Sequence, residues 1–159
     1  MSRLQTRFDE ADESAGLLLW QVTNRWQAAQ RAVLKPFGLT HVQFVLLASL
    51  AWLSSDDPSA APVSQRVLAD HAATDPMMTS QVVRALEAKE WLTREPHPGD
   101  GRAFALRISP TGLALVQRAV AAVERCDEDF FGPLGARGRA FRVALLTLRD
   151  ASTGSTGRG

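Results

Sequence analysis

Leu19, Val22, Trp26, Ala29 and Val33 recur at alternating steps of three and four, which places them on one seam of a helix. Pro36 cannot continue a helix interior and Gly38 suits a left-handed exit, so that helix ends there. Thr40 and Gln43 have the capping-box spacing: the threonine oxygen accepts from the backbone N–H three residues on, and the glutamine reaches back. VQFVLLASLAWL follows, apolar nearly all round, and predicts a helix buried on most sides. Ser54 to Pro62, SSDDPSAAP, is a loop by composition. Ser64 is placed to cap a short helix, QRVLADHAA. Asp75-Pro76 then gives a cap followed by proline at the first helical position. In the helix it starts, MMTSQVVRALEAKE, Met78, Val82, Val83 and Leu86 are expected to face inward. Thr79, Ser80, Gln81 and Arg84 are expected on the outer and N-terminal surface.

The helical pattern breaks after Trp91. Trp91 to Glu95 and Ala103 to Ile108 flank a tight polar reversal, Pro-Gly-Asp-Gly-Arg, in which Gly99 and Gly101 permit the turn. This predicts a β-hairpin with Asp100 and Arg102 at its tip, anchored by Trp91. Ser109-Pro110 repeats the cap-plus-proline start, and Leu113, Val116, Val120, Val123 and Phe130 repeat at heptad-like spacing. Gly132-Pro133 ends that long helix. Phe141, Leu145 and Leu148 stripe a last one, and residues 151–159, ASTGSTGRG, read as a disordered tail. The expected organisation is one domain over 1–159, with helical segments at 14–38 and 109–150 flanking a mixed lobe at 40–108.

The chain has 159 residues, 45% of them hydrophobic, enough for a proper core. No run approaches the roughly 20 apolar residues of a membrane span, and the charged N-terminus lacks the apolar segment of a signal peptide, so a cytoplasmic protein is expected. The single cysteine, Cys126, reads as a small buried hydrophobe rather than a redox sensor. His41, His71 and His97 are widely spaced on different elements, which argues against a metal site. No catalytic constellation stands out, so neither an enzyme nor a cofactor is expected. Net charge is +1. Between Val63 and Ser109 the basic residues (Arg66, Arg84, Lys89, Arg94, Arg102, Arg107) equal the acidic ones (Asp70, Asp75, Glu87, Glu90, Glu95, Asp100) in number. A nucleic-acid partner must therefore rest on where charge is placed, not on its total.

Two short helices meet at Ala72-Ala-Thr-Asp-Pro, and a hairpin follows the second directly. That order is a winged helix-turn-helix: mainly α, with a small β wing. The major groove of B-DNA admits a helix, and the leading MMTSQ supplies short polar side chains to it. Arg102 is the cation that a narrow minor groove attracts, and Asp100 is placed to hold its guanidinium. An ordinary turn ion pair and a solvated helix face are the plainer readings of the same residues.

LTHVQFVLLASL, VSQRVLADHAATDPMMTSQVVRALEAKEWLTRE and HPGDGRAFALRISPTG together resemble the MarR-type regulators, in that family's order and spacing, from about Leu17 to Phe131. The resemblance implies a homodimeric winged-helix repressor whose first and last helices interlock. It also implies a pseudo-palindromic operator and release by a small phenolic or drug-like effector. By position it places Thr79, Ser80, Gln81 and Arg84 in the recognition helix, Ser64 and Gln65 at the start of the helix before it, and Arg102 on the wing. The chain departs from the family where Glu90 replaces the usual glycine at the end of the recognition helix. It departs again where Gly101-Arg102 replaces a double arginine.

Three apolar segments, Leu19 to Val33, Leu113 to Phe130 and Phe141 to Leu148, exceed what a winged-helix core covers, which predicts an obligate homodimer. An effector cleft is expected between the dimer platform and the winged lobe near Trp20, Trp26 and His41, although tryptophans such as Trp20, Trp26 and Trp52 more often serve core or dimer packing. The alternative function is a helical dimeric interaction module that keeps the winged fold without DNA binding. The near-neutral charge and single-arginine wing keep it open as the lesser reading, and a gel-shift titration separates the two.

Overall fold

The structure is a computed structural model that describes residues 3–57 and 59–153. After a 3-10 turn at Ala11–Glu13 come α1 (Ala15–Leu34), a second 3-10 turn (Lys35–Phe37) and α2 (His41–Leu53). Then follow β1 (Val63–Ser64), α3 (Gln65–Ala72), α4 (Pro76–Ala88), β2 (Leu92–His97) and β3 (Asp100–Ile108). The chain closes with α5 (Pro110–Phe131), a 3-10 segment (Gly132–Arg137) and α6 (Gly138–Thr153).

Local chemistry sets the helix starts. The Ser14 and Ser64 hydroxyls each accept from the backbone N–H three residues on, at 3.2 Å. Thr40 and Gln43 complete both bonds of the predicted capping box. Asp75 Oδ1 accepts from the N–H groups of Met77 (2.8 Å) and Met78 (3.0 Å), with Pro76 at the first helical position. Ser109 Oγ accepts from Gly112 N–H at 3.0 Å and opens α5. Gly38 ends the segment after α1 with φ +67°.

Two compact units divide the chain within α5: 1–123 and 124–159. In the first, α2 is the central element, with Phe44, Leu46, Leu47 and Leu50 buried, and Leu34, Leu68, Val83, Leu86, Leu92, Leu106 and Val116 close around it. The sheet is antiparallel in the order β1-β3-β2. β1 pairs Val63 with Leu106 and Ser64 with Ala105. Two residues are too few for a period-2 signal, so the sequence pattern does not reveal this strand. In the second unit the Phe131 ring lies 5.2 Å from that of Phe130 and 5.9 Å from that of Phe141. α6 has no buried residue, and Val143, Leu145, Leu146 and Leu148 are exposed.

Several expectations need correction. On α1 the buried residues are Gln30 and Leu34, which the seam does not include, while Leu19 and Val22 of the seam are exposed, in keeping with apolar surface beyond the winged-helix core. The buried stripe of α5 is Gly112, Leu115, Val116, Ala119 and Val123, with Leu113 outside. The reversal of the hairpin shrinks to Pro98-Gly99, so Asp100 and Arg102 lie in β3 rather than in the turn. The cause is a register shift between Pro96 and His97, which pairs His97 with Asp100 and draws the strand up to the turn. α6 continues to Thr153, three residues into the predicted tail; residues 154–159 of that tail lie outside the described residues. Among the described residues no single helix is long and apolar enough to cross a membrane. Cys126 is half-buried, and burial, followed by the charges of Asp127 and Asp129, raises its thiol pKa, away from a reactive thiolate.

Candidate nucleic-acid interface

The turn between α3 and α4 is built around Ala73, which adopts φ +52° while Thr74 N–H donates to Ala69 O at 3.0 Å. Thr79 Oγ1 donates to Asp75 O at 2.8 Å, so the 2.8 Å contact between the Thr74 and Thr79 hydroxyls has Thr74 as donor. Thr79 is fully buried. It clamps the turn from inside, and the expectation that it faces outward fails because its hydroxyl has two partners there. Met78, expected inside, is exposed in its place.

At 3.6 residues per turn, Thr79, Val83 and Leu86 form the inward stripe of α4. Met77, Gln81, Arg84 and Ala88 form the opposite one, and all four are exposed. Ser80 sits on the flank, half-buried.

Pairing of β1 with β3 brings the start of α3 to the wing. Ser64, Gln65 and Arg66 line a depression of about 300 Å³ together with His97, Asp100 and Arg102. Ser64 spends its hydroxyl on the helix cap. Asp100 does not hold the Arg102 guanidinium, since no ion pair within 4 Å joins them; its Oδ1 accepts from Arg102 backbone N–H at 3.0 Å. The aspartate therefore fixes the strand, leaving the guanidinium in solvent.

One polar cluster escaped the sequence reading. Arg94 on β2 donates from Nε to Glu87 Oε2 (2.9 Å) and from Nη2 to Glu87 Oε1 (3.0 Å), a two-pronged fork joining the wing to the last turn of α4. Its guanidinium carbon lies 4.9 Å from the Phe104 ring centroid on β3. The bonds from Arg94 hold the Glu87 carboxyl below the ordinary glutamate pKa. Nothing in the spacing of these three residues announces the contact, because it depends on the strand register.

The charge balance now resolves. Arg94 is paired with Glu87, Arg107 with Glu95 at 2.9 Å and Arg66 with Asp70 at 4.0 Å, while Lys89 lies over the Trp91 ring. Asp75 and Asp100 are turned to backbone N–H groups. Among the described residues, Arg84 and Arg102 are the cations of this segment left without an anionic partner or an aromatic face. One lies on the outward face of α4 and the other on the wing.

Of the residues expected at an effector cleft, the structure brings Trp26 and His41 together, their rings edge-to-face with centroids 5.0 Å apart. Trp20 is 69% exposed on α1 and makes no ring contact with either. Neither the depression beside the wing nor a larger one of about 540 Å³ between the loop after α2 and β3 is lined by these three residues.

A helix-turn-helix with an exposed polar stripe on its second helix, followed by a hairpin bearing an unpaired arginine, defines a winged helix-turn-helix protein. The sequence profile of the MarR family matches residues 39–104. The HTH-type transcriptional regulator YdcH of Bacillus subtilis is 39% identical over 126 residues, covering 79% of this chain and 84% of YdcH. The HTH-type transcriptional repressor Rv2887 of Mycobacterium tuberculosis is 33% identical over 138 residues, 86% of this chain and 94% of its own. The crystal structure of Rv2887 in complex with salicylic acid matches with a TM-score of 0.65 at 30% identity, covering 88% of this chain and 98% of that one. BpsR of Bordetella bronchiseptica, whose DNA binding is regulated by 6-hydroxynicotinic acid, matches at a TM-score of 0.77 and 26% identity, over 89% and 96% of the two chains. The chain belongs to the MarR family: it is a DNA-binding transcriptional regulator and not an enzyme.

Proposed function

We propose that this protein is a repressor that binds a pseudo-palindromic operator as a homodimer and leaves it on meeting a small aromatic acid. The observation that carries the reading is the charge placement: Glu87 and Glu95 hold Arg94 and Arg107 at 2.9 Å, whereas Arg84 on α4 and Arg102 on the wing face outward with no anionic partner among the described residues. In this reading α4 enters the major groove, where Ser80, Gln81 and Arg84 meet base edges and phosphates. Arg102 enters the adjacent minor groove, with Asp100 fixing the strand that carries it. Ser64 and Gln65 approach the backbone at the start of α3. Thr79 has no place in the contact set.

Exposure of Leu17, Leu18, Leu19, Trp20 and Val22 on α1, and separately of Val143, Leu145, Leu146 and Leu148 on α6, leaves apolar surface in each unit and supports a homodimer. Sedimentation velocity at micromolar concentration is expected to show a dimer; a folded monomer contradicts this part. Trp26 and His41 supply an aromatic wall and a polar group of the kind an aromatic acid needs, which favours that pair for the effector. The compounds bound by Rv2887 and acting on BpsR, salicylic and 6-hydroxynicotinic acid, are both of this class. A protein of this function works in the cytoplasm, beside its DNA.

The test is selection of duplexes from a random-sequence library by the purified protein, followed by titration of the bound duplex with salicylate and 6-hydroxynicotinate. The expected result is a two-fold symmetric site with half-sites about 10 base pairs apart, released by one or both acids. A library that yields no enriched sequence overturns the DNA reading and leaves the interaction module.

A further inference from the structure

We propose that Met77, on the leading turn of α4, reads thymine in the operator through its C5-methyl group; this rests on the DNA-binding reading above. Met77 lies on the outward stripe with Gln81 and Arg84, four and seven residues before them, directly opposite the buried Thr79, Val83 and Leu86. It is 72% exposed, and Met78 on the adjoining flank is 45% exposed. The Thr79 hydroxyl, the polar group the sequence offers at this turn, is withdrawn into bonds with Thr74 and Asp75. What the helix presents first to a groove is therefore thioether.

The turn is also closed to phosphate. A helix N-terminus ordinarily attracts an anion through its free N–H groups. Here the N–H groups of Met77 and Met78 donate to the Asp75 carboxylate, whose own charge repels a second anion. A base contact by the side chains is what remains. Among the major-groove edges, thymine presents an apolar feature, its C5-methyl, whereas guanine, cytosine and adenine present donors and acceptors there. A long unbranched thioether adapts to such a small apolar target at low cost, and sulfur is soft enough to keep close contact. Gln81, one turn on, would bond an adjacent base, so that one stripe reads a methyl and an amide edge in succession.

The experiment uses the full-length protein and its selected duplex, with each thymine of the half-sites replaced in turn by deoxyuridine, which removes the methyl and nothing else. Affinity is measured by fluorescence anisotropy for the wild type, Met77→Leu and Met77→Gln. One thymine position is expected to weaken wild-type binding about fourfold per half-site, the equivalent of one methyl group, and about sixteenfold when both half-sites are changed. Met77→Gln is expected to bind the thymine duplex less well and to be indifferent to deoxyuridine; Met77→Leu is expected to keep part of the discrimination. Wild-type binding unchanged by deoxyuridine at every position overturns the proposal, as does a selected half-site without thymine. A Met77→Gln variant that still discriminates assigns the methyl to another residue and overturns it as well. The wild-type arm can overturn the proposal by itself, and if Met77→Gln is poorly behaved the assignment to Met77 is read from Met77→Leu, which is expected to lose part of the discrimination. Failure of the DNA reading is separate, since it shows as no selected duplex at all.

Discussion

Replacing Glu90 by glycine is expected to stabilise this protein by about 0.5–1 kcal/mol. Glu90 follows α4 with φ +59°, a left-handed conformation. It costs an L side chain roughly 1–2 kcal/mol and glycine almost nothing. Glycine's extra freedom in the unfolded chain, about 0.4–1 kcal/mol, acts in the opposite direction, and the difference is the expected gain. The residue has no local escape. Its N–H donates to Glu87 O at 2.9 Å and the next N–H, of Trp91, reaches Leu86 O at 3.0 Å. Its own carbonyl accepts from Ser109 Oγ at 2.7 Å and Thr111 Oγ1 at 3.3 Å. The SPTG stretch that begins α5 thus locks the end of the recognition helix in the strained geometry. Thermal melts at one fixed protein concentration are the assay, because a dimer's midpoint moves with concentration. The midpoint is expected to rise by about 1–4 °C. Glu90→Ala removes the carboxylate but keeps the strain, and is expected to gain nothing. A glycine variant no more stable than wild type, or an alanine variant that gains as much, refutes the reasoning.

Gly112→Ala is expected to cost about 2–3 kcal/mol in urea unfolding, because a Cβ there runs into the Trp91 carbonyl oxygen and the backbone has to move. Glu87→Gln is expected to lower stability by less than about 1 kcal/mol, since the fork to Arg94 is partly open to solvent. It also loosens the wing, read as weaker DNA binding that the exchanged pair Glu87→Arg with Arg94→Glu partly restores. The Glu87 carboxyl is held below its ordinary value, so its contribution is complete above 4.5 and is lost as pH falls through the folded-state value. Urea midpoints of wild type and Glu87→Gln are therefore expected to converge on acidification, and a constant gap would contradict the pairing.

Much of this fold is legible because capping chemistry is local. Thr40 with Gln43, Ser64, Asp75-Pro76 and Ser109-Pro110 each announce a helix start within four residues of chain, and all act as they read. The face of α4 is misread because polarity assigns methionine inward and threonine outward. Tertiary context reverses the pair, since Thr74 and the Asp75 carbonyl satisfy the Thr79 hydroxyl inside the turn. Asp100 and Arg102 are found by their turn-like neighbours, but their mutual geometry follows from a register shift at Pro96/His97 that no periodicity encodes. The Glu87–Arg94–Phe104 cluster draws on three elements and takes shape only once β2 and β3 are paired.

The placement of Arg84 and Arg102 is tested most directly by the salt dependence of operator binding. Anisotropy titrations of the selected duplex, at several salt concentrations, compare wild type with Arg84→Ala, Arg102→Ala and Arg107→Ala. Arg107 is the control, because Glu95 already holds its charge at 2.9 Å. Each of the first two variants is expected to weaken binding and to flatten the slope of log affinity against log salt by about two per dimer, one phosphate equivalent in each subunit. Arg107→Ala is expected to leave the slope unchanged. Three variants with the wild-type slope, or a control that loses as much as the other two, would contradict the claim that this fold carries its DNA-facing charge on the outer stripe of α4 and on the wing.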